Sequence, residues 1–285
     1  MGEQYLDRIR DLPVMPEVAV KVMNLTGEKL EISFKELEAI IKIDPGLTAK
    51  ILKIANSALY ARQREIKSLQ MAITLLGFKN IKSLVLLITA SNLFPRMRAS
   101  AFHKTYWKHS ILSAFLSKSL AVRCGRSESA EEAFIAGLLH DIGQAGLFTA
   151  SPAEYAQALE AEKLGALLLE TIEEQMFGVT HRQIGGALLK KWNFPVLFVD
   201  VALEHESLNI SSAHKSFVIL VSTGCILAEK LETGTLPPLK EDLFQQLLPY
   251  TCLGAAEVPG LAASYAAELR QDRLFMEYQA LFDIK

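Results

Sequence analysis

The sequence predicts an all-α protein, and three observations carry that reading. Helix-start signals recur along the whole chain, glycines follow the ends of the periodic segments, and period-two alternation with Asn-Gly or Asp-Gly turns is absent. The 285 residues are 50% hydrophobic and 22% charged, a composition that builds a substantial core and is far from that of a disordered chain.

Taken in order, Ser33 and Glu36 form a capping-box pattern before the apolar face of Leu37, Ile40 and Ile41. Asp44 followed by Pro45 places a cap and a first-turn proline before LTAKILKIAN. No glycine-rich cradle follows a strand there, so these residues read as helix capping and not as a phosphate loop. Gly77 ends AITLL and Gly125 ends SLAVRC. Ser129 and Glu132 start the helix leading into GLLHD. Ser151, Pro152 and Glu154 combine a cap, a first-turn proline and a capping-box Glu, and Thr180 with Gln183 repeats the box before HRQIGGALLKKW. Gly234 ends AEKLET. Asn56 and Ser57 are expected to satisfy backbone groups or each other. Gly185 and Gly186 are expected to permit close helix packing, and Trp107 and Trp192 to anchor the core.

Two breaks organise the chain. NLFPRMRAS ends an apolar run at Pro95, and LETGTLPPLKED interrupts helical pattern with Gly234, Pro237 and Pro238. The expected divisions are an N-terminal helical lobe over 1–95, a central helical lobe carrying the histidines over 96–231, and a C-terminal helical appendage over 232–285. Short connections imply that the lobes pack into one body.

Net charge is −2 with no basic run, which gives no electrostatic footprint for nucleic acid. Cys124, Cys225 and Cys252 are odd in number, widely spaced and without a CxxC pair, so no disulfide framework is expected and a reducing cytoplasm fits. MGEQYLDRIRDLP lacks an apolar run, so no signal peptide is expected, and Leu6 breaks the myristoylation pattern. LVLLIT and FVILVSTGCILA fall short of a membrane span. The expectation is a soluble cytoplasmic protein without a membrane or nucleic-acid partner.

Four of six histidines sit in or beside apolar helical segments: His109 in WKHSILSAFL, His140 in GLLHDIG, His181 in VTHRQIGGALL and His205 in DVALEHES. His103 and His214 lie in polar surroundings and read as surface residues. Taken alone, His109 shares a face with Leu112 and Leu116 and reads as a satisfied core histidine. Together with Asp141, the four resemble the inward-facing ligand sets that helical bundles build from several helices. His and carboxylate ligands suit a divalent transition metal such as iron, zinc, manganese or nickel. Adjacent helical residues point about 100° apart, so a helix end or kink near Gly143 would ease convergence of His140 and Asp141.

LPVMPEVAVKVMNL, IDPGLTAKILKIANSALY, IKSLQMAITLLGFKNIKSLVL, WKHSILSAFLSKSLA, AGLLHDIG, SPAEY and HRQIGGALLKKWNFP occur in the order found in the HDOD family, the HD-related output domains of bacterial signalling. The chain resembles that family from about Leu12 to His205, and more loosely to Leu231. The resemblance implies an N-terminal helical lobe packed on an HD-like bundle, and kinship with HD and HD-GYP metal-dependent phosphohydrolases. It implies metal ligands at His109, His140, Asp141, His181 and His205. Several features depart from the phosphohydrolase pattern. Gln144 stands where HDIGK has Lys, and Glu204-His205 stands where two histidines are expected. Ser222, Thr223 and Gly224 lie near the place of a late Asp, and no GYP motif follows. The expected function is therefore a signal-transduction output or adaptor domain acting through a signalling protein partner, with a remnant metal site. The alternative is a metal-dependent phosphohydrolase of a nucleotide or other phosphoester. The late Asp and the Lys are the groups that would tighten the ion and neutralise phosphate charge.

Overall fold

The computed structural model describes residues 14–25, 30–60, 65–98, 100–164, 167–254 and 257–284. Among them every regular element is helical. The described residues divide into two compact units, one up to Pro95 and one from Arg96 onward. The break in NLFPRMRAS is the point of division. No second division separates residues 232–285 from the histidine-bearing helices.

The first unit holds α1 (Glu17–Met23), α2 (Leu30–Ile41), α3 (Pro45–Ala55), α4 (Leu69–Leu76) and α5 (Phe78–Leu93). Its core joins Val22, Leu37, Ile41, Ile51, Ile73, Ile81 and Leu84. The Asp44 side chain accepts the Leu47 N–H at 2.9 Å, so the Asp-Pro start forms as expected. Ser33 is no cap, because α2 already begins at Leu30. Leu30 and Glu31 are good helix formers, and propensity carries the helix back past the capping pattern. Asn56 Nδ2–H donates to Leu52 O and Ile66 O, and its Oδ1 accepts from Ile66 N, which pins the segment after α3. Lys82 Nζ donates to Met23 O and Leu25 O at the end of α1, where orphan carbonyls attract a cation.

The second unit holds α6 (Ala101–Arg123), α7 (Ala130–Leu139), α8 (Ile142–Ala150), α9 (Pro152–Lys163), α10 (Leu169–Phe177), α11 (His181–Lys191), α12 (Val196–Glu204), α13 (Lys215–Thr233), α14 (Pro238–Leu247), α15 (Val258–Leu269) and α16 (Arg273–Leu281). Helix α6 packs on α7 and α13, while α11 packs on α8 and α12. Trp107 and Trp192 are fully buried in this core. Helix α16 closes on α6 through Phe115–Tyr278 and Phe115–Phe275 edge contacts, and Phe282 just beyond it stacks on Trp107. Thr180 and Gln183 form the complete capping box. Ser129 and Ser151 precede their helices as expected, but neither side chain makes the capping bond.

One expectation from cysteine usage is corrected. Cys124 and Cys252 form a disulfide with Cα atoms 5.4 Å apart. The two residues are 128 positions apart, and spacing could not reveal that the end of α6 meets the segment after α14. The bond withdraws the support that cysteine usage lent to a reducing cytoplasm. Cys225 is free and buried. Among the described residues no single helix is long and apolar enough to cross a membrane. α4 and α5 pass that test only as a pair bent by 110°, and both helices are largely buried in the first unit.

Candidate metal centre

Five elements of the second unit deliver the site. His109 projects from the middle of α6. α7 ends at Leu139 and α8 starts at Ile142, so His140 and Asp141 occupy the junction. The break lets neighbouring residues face one point, which a continuous helix would prevent. His181 opens α11, and His205 follows the last residue of α12. Gly143 makes this closeness feasible: a Cβ there would lie 1.8 Å from His181 O.

The five side chains meet around the Asp141 carboxylate. Oδ1 lies 3.2 Å from His205 Nε2 and 3.5 Å from His181 Nε2, and Oδ2 lies 3.3 Å from His140 Nε2 and 3.8 Å from His109 Nε2. His181 Nε2 and His205 Nε2 are 3.4 Å apart. His140, Asp141, His181 and His205 are buried.

The opposite nitrogens are all occupied. His140 Nδ1 lies 2.7 Å from Gly137 O, and His205 Nδ1 lies 3.1 Å from Val201 O and Ala202 O. A carbonyl only accepts, so both Nδ1 atoms carry hydrogen and donate. His181 Nδ1–H faces Glu173 Oε2 at 2.7 Å, and His109 Nδ1–H faces Glu232 Oε2 at 3.0 Å. Glu173 is fully buried, accepts the His181 backbone N–H and receives the Tyr155 hydroxyl at 2.7 Å. This is how metal-ligating imidazoles are oriented: one nitrogen fixed by an acceptor, the other turned to the ion. His140 Nε2 is buried without a hydrogen-bond partner, although Asp141 lies within ion-pair range. A bare nitrogen of this kind, among four convergent Nε2 atoms and a carboxylate, fits a divalent cation.

Protonation follows from the same contacts. Burial would raise the Asp141 carboxyl, but the imidazoles of His140, His205 and His181 packed around it hold it well below the usual range. Burial would lower His181, but the Glu173 charge and hydrogen bond lift it to about 9. His109 likewise reaches about 9 through Glu232 and Asp141. Burial pushes His205 down.

Further residues surround the cluster. Ser222 bonds Val218 O and Glu206 N, Thr223 bonds Ile219 O, and a Cβ on Gly224 would strike Ser117, so none of the three fills the place of the late Asp. Cys225, one position on, reaches the cluster with Sγ 3.4 Å from His109 Nε2 and 3.3 Å from Glu206 Oε1. Glu206 has φ 57°, an uncommon backbone state for a non-glycine residue. Burial would raise its carboxyl, but Lys240 and His205 hold it down to about 2. Lys240, from α14, lies 2.8 Å from Glu229 and 3.3 Å from Glu206. Glu173 left a trace in sequence, a carboxylate on the buried face of Leu169, Ile172 and Phe177; Cys225 and Glu232 left none.

A cavity of about 780 Å³ opens against His109, Asp141, His181 and Cys225. Its walls carry seven carboxylates and three Lys or Arg side chains, so the space favours cations over anions. His103 is half-buried near Phe282, and His214 pairs with Asp200 at 2.7 Å, so neither joins the cluster.

The helix-junction pair His140 and Asp141 thus meets three histidines delivered by three further helices. The chain belongs to the HDOD domain family, which matches residues 12–208. It is 23% identical over 223 residues to an uncharacterized protein of Treponema pallidum (strain Nichols), across 78% of this chain; it spans only 42% of the length of that curated relative. An HDOD domain protein with unknown function from Geobacter sulfurreducens shares the fold with a TM-score of 0.71 and 20% identity, covering 97% of this chain and 98% of that one. A protein proposed to be a phosphohydrolase, from Shewanella amazonensis SB2B, matches with a TM-score of 0.72 and 20% identity over 97% and 98% of the two chains.

Proposed function

We propose that the chain is a signal-transduction output domain that works through contacts with a partner protein and uses the histidine cluster to hold a divalent transition metal. The observation that carries the metal assignment is the set of four Nδ1-anchored imidazoles turned on Asp141. His109, His140, Asp141, His181 and His205 would hold the ion. Bound there, it would supply positive charge against the Asp141 carboxylate and a Lewis-acid centre at the cavity wall. Glu173 and Glu232 fix two of the imidazoles. The output role rests on family membership and on the cavity's chemistry. Gln144 is neutral where the phosphohydrolases carry Lys, and the carboxylate-rich walls repel a phosphate.

A second reading, a metal-dependent phosphohydrolase, draws support from the cavity itself. Its volume suits a nucleotide-sized ligand, and Asp141, His109 and His181 lie on its wall. The deciding experiment supplies the purified protein with manganese, iron, nickel or zinc and screens cyclic-di-GMP and simple phosphoesters. The output reading expects no appreciable turnover. Robust turnover that disappears in Asp141→Ala would replace it with the hydrolase reading.

A further inference from the structure

We propose that Cys225 is itself a metal ligand, so that His109, His140 and Cys225 make a mixed nitrogen and sulfur site selecting a thiophilic divalent cation, zinc above all, over manganese and magnesium. The inference deepens the metal reading and rests on it.

Three observations place it. Ligand atoms of His109, His140 and Cys225 lie within 4.8 Å of one another. His140 Nε2, 1% exposed, points into this space with no hydrogen-bond partner. Cys225 Sγ sits 3.4 Å from His109 Nε2. The thiol thus lines the cavity beside the cluster, on the helix where the phosphohydrolase pattern has its late carboxylate. Hydrophobic packing alone does not account for the position, because the Cys225 neighbours are a histidine and the Glu206 carboxylate.

Ligation replaces the S–H bond with an S–metal bond. The proton leaves to cavity solvent, with Glu206 Oε1 at 3.3 Å as the first acceptor. Exchanging a carboxylate oxygen for a thiolate changes the selectivity of the site. Thiolate and imidazole together suit zinc, whereas manganese and magnesium prefer oxygen. In this assignment a sulfur ligand stands where the phosphohydrolase pattern has an oxygen one.

The test is cobalt substitution of chelator-treated, untagged full-length protein. The expected result is a thiolate-to-cobalt charge-transfer band in the near ultraviolet beside the visible ligand-field bands. Cys225→Ser should lose the first and keep the second, with zinc affinity down by about 10-fold or more and manganese affinity little changed. Cys225→Asp should shift preference toward manganese. The wild-type spectrum needs no variant, so a poorly folding substitution leaves the test intact. Ligand-field bands without a charge-transfer band overturn the Cys225 assignment and leave the metal reading standing. Failure of the wild type to take up cobalt or zinc at all overturns both.

Discussion

The Glu173 carboxylate holds His181 twice, accepting its backbone N–H and its Nδ1–H, each at 2.7 Å. The Tyr155 hydroxyl secures the other carboxylate oxygen. A buried carboxylate thus fixes the start of α11 and the direction of a candidate ligand together. Glu173→Ala leaves an unpaired imidazole and hydroxyl in the core, and should cost about 3–5 kcal/mol in chemical denaturation. Glu173→Gln keeps the shape and should cost less, yet weaken metal binding about 10–100-fold. Equal metal affinity in wild type and Glu173→Gln would show that the orientation of His181 does not matter to the ion.

The histidines set a pH dependence for the chelated protein. His109 and His181 titrate near 9 in the fold against 6.5 ordinarily. A raised value means that the fold prefers the protonated imidazoles, so their stabilisation is complete below 6.5 and is lost as pH rises through about 9. The melting temperature without metal should fall across that window. With zinc present the trend should reverse, because protons and metal compete for the same nitrogens. A flat chelated profile would mean that Glu173 and Glu232 do not hold charged imidazoles.

The Cys124–Cys252 disulfide closes a separation of 128 residues, the regime in which a cross-link restricts the unfolded chain most. Reduction, or Cys252→Ser, should lower stability by about 2–4 kcal/mol and the melting temperature by roughly 5–10 °C. Identical melting curves with and without reductant would show that the bond adds nothing.

Gly143 has no room for a side chain. With a Cβ 1.8 Å from His181 O and 2.6 Å from Gly185 N, both backbone atoms, Gly143→Ala cannot be absorbed by a side-chain shift. It should push α8 from α11 and cost at least about 3 kcal/mol, with loss of metal uptake. A wild-type melting curve for Gly143→Ala would contradict this helix approach.

Signals in the sequence are legible where the physics is local. The Asp44-Pro45 start, the Thr180–Gln183 box and the stops at Gly77, Gly125 and Gly234 all form. Ser33 failed because a cap pattern marks where a helix can start, while the residues before it decide whether it does. Motif order points to the five cluster residues, and the helix break at His140–Asp141 supplies the geometry that motif order lacks. Cys225, Glu232 and the Cys124–Cys252 bond depend on pairings across more than a hundred residues. No spacing rule reaches that far.

The central claim is that Asp141 and the four histidines hold a divalent metal. It is tested most directly by metal analysis of untagged protein, with melting curves of wild type and Asp141→Ala recorded with and without chelator. The account predicts stoichiometric metal in wild type, a lower melting temperature on chelation, and a metal-poor Asp141→Ala whose midpoint is already depressed and no longer answers to chelator. A wild type that takes up none of zinc, iron, manganese or nickel, with a midpoint indifferent to both chelator and the Asp141 substitution, would contradict it.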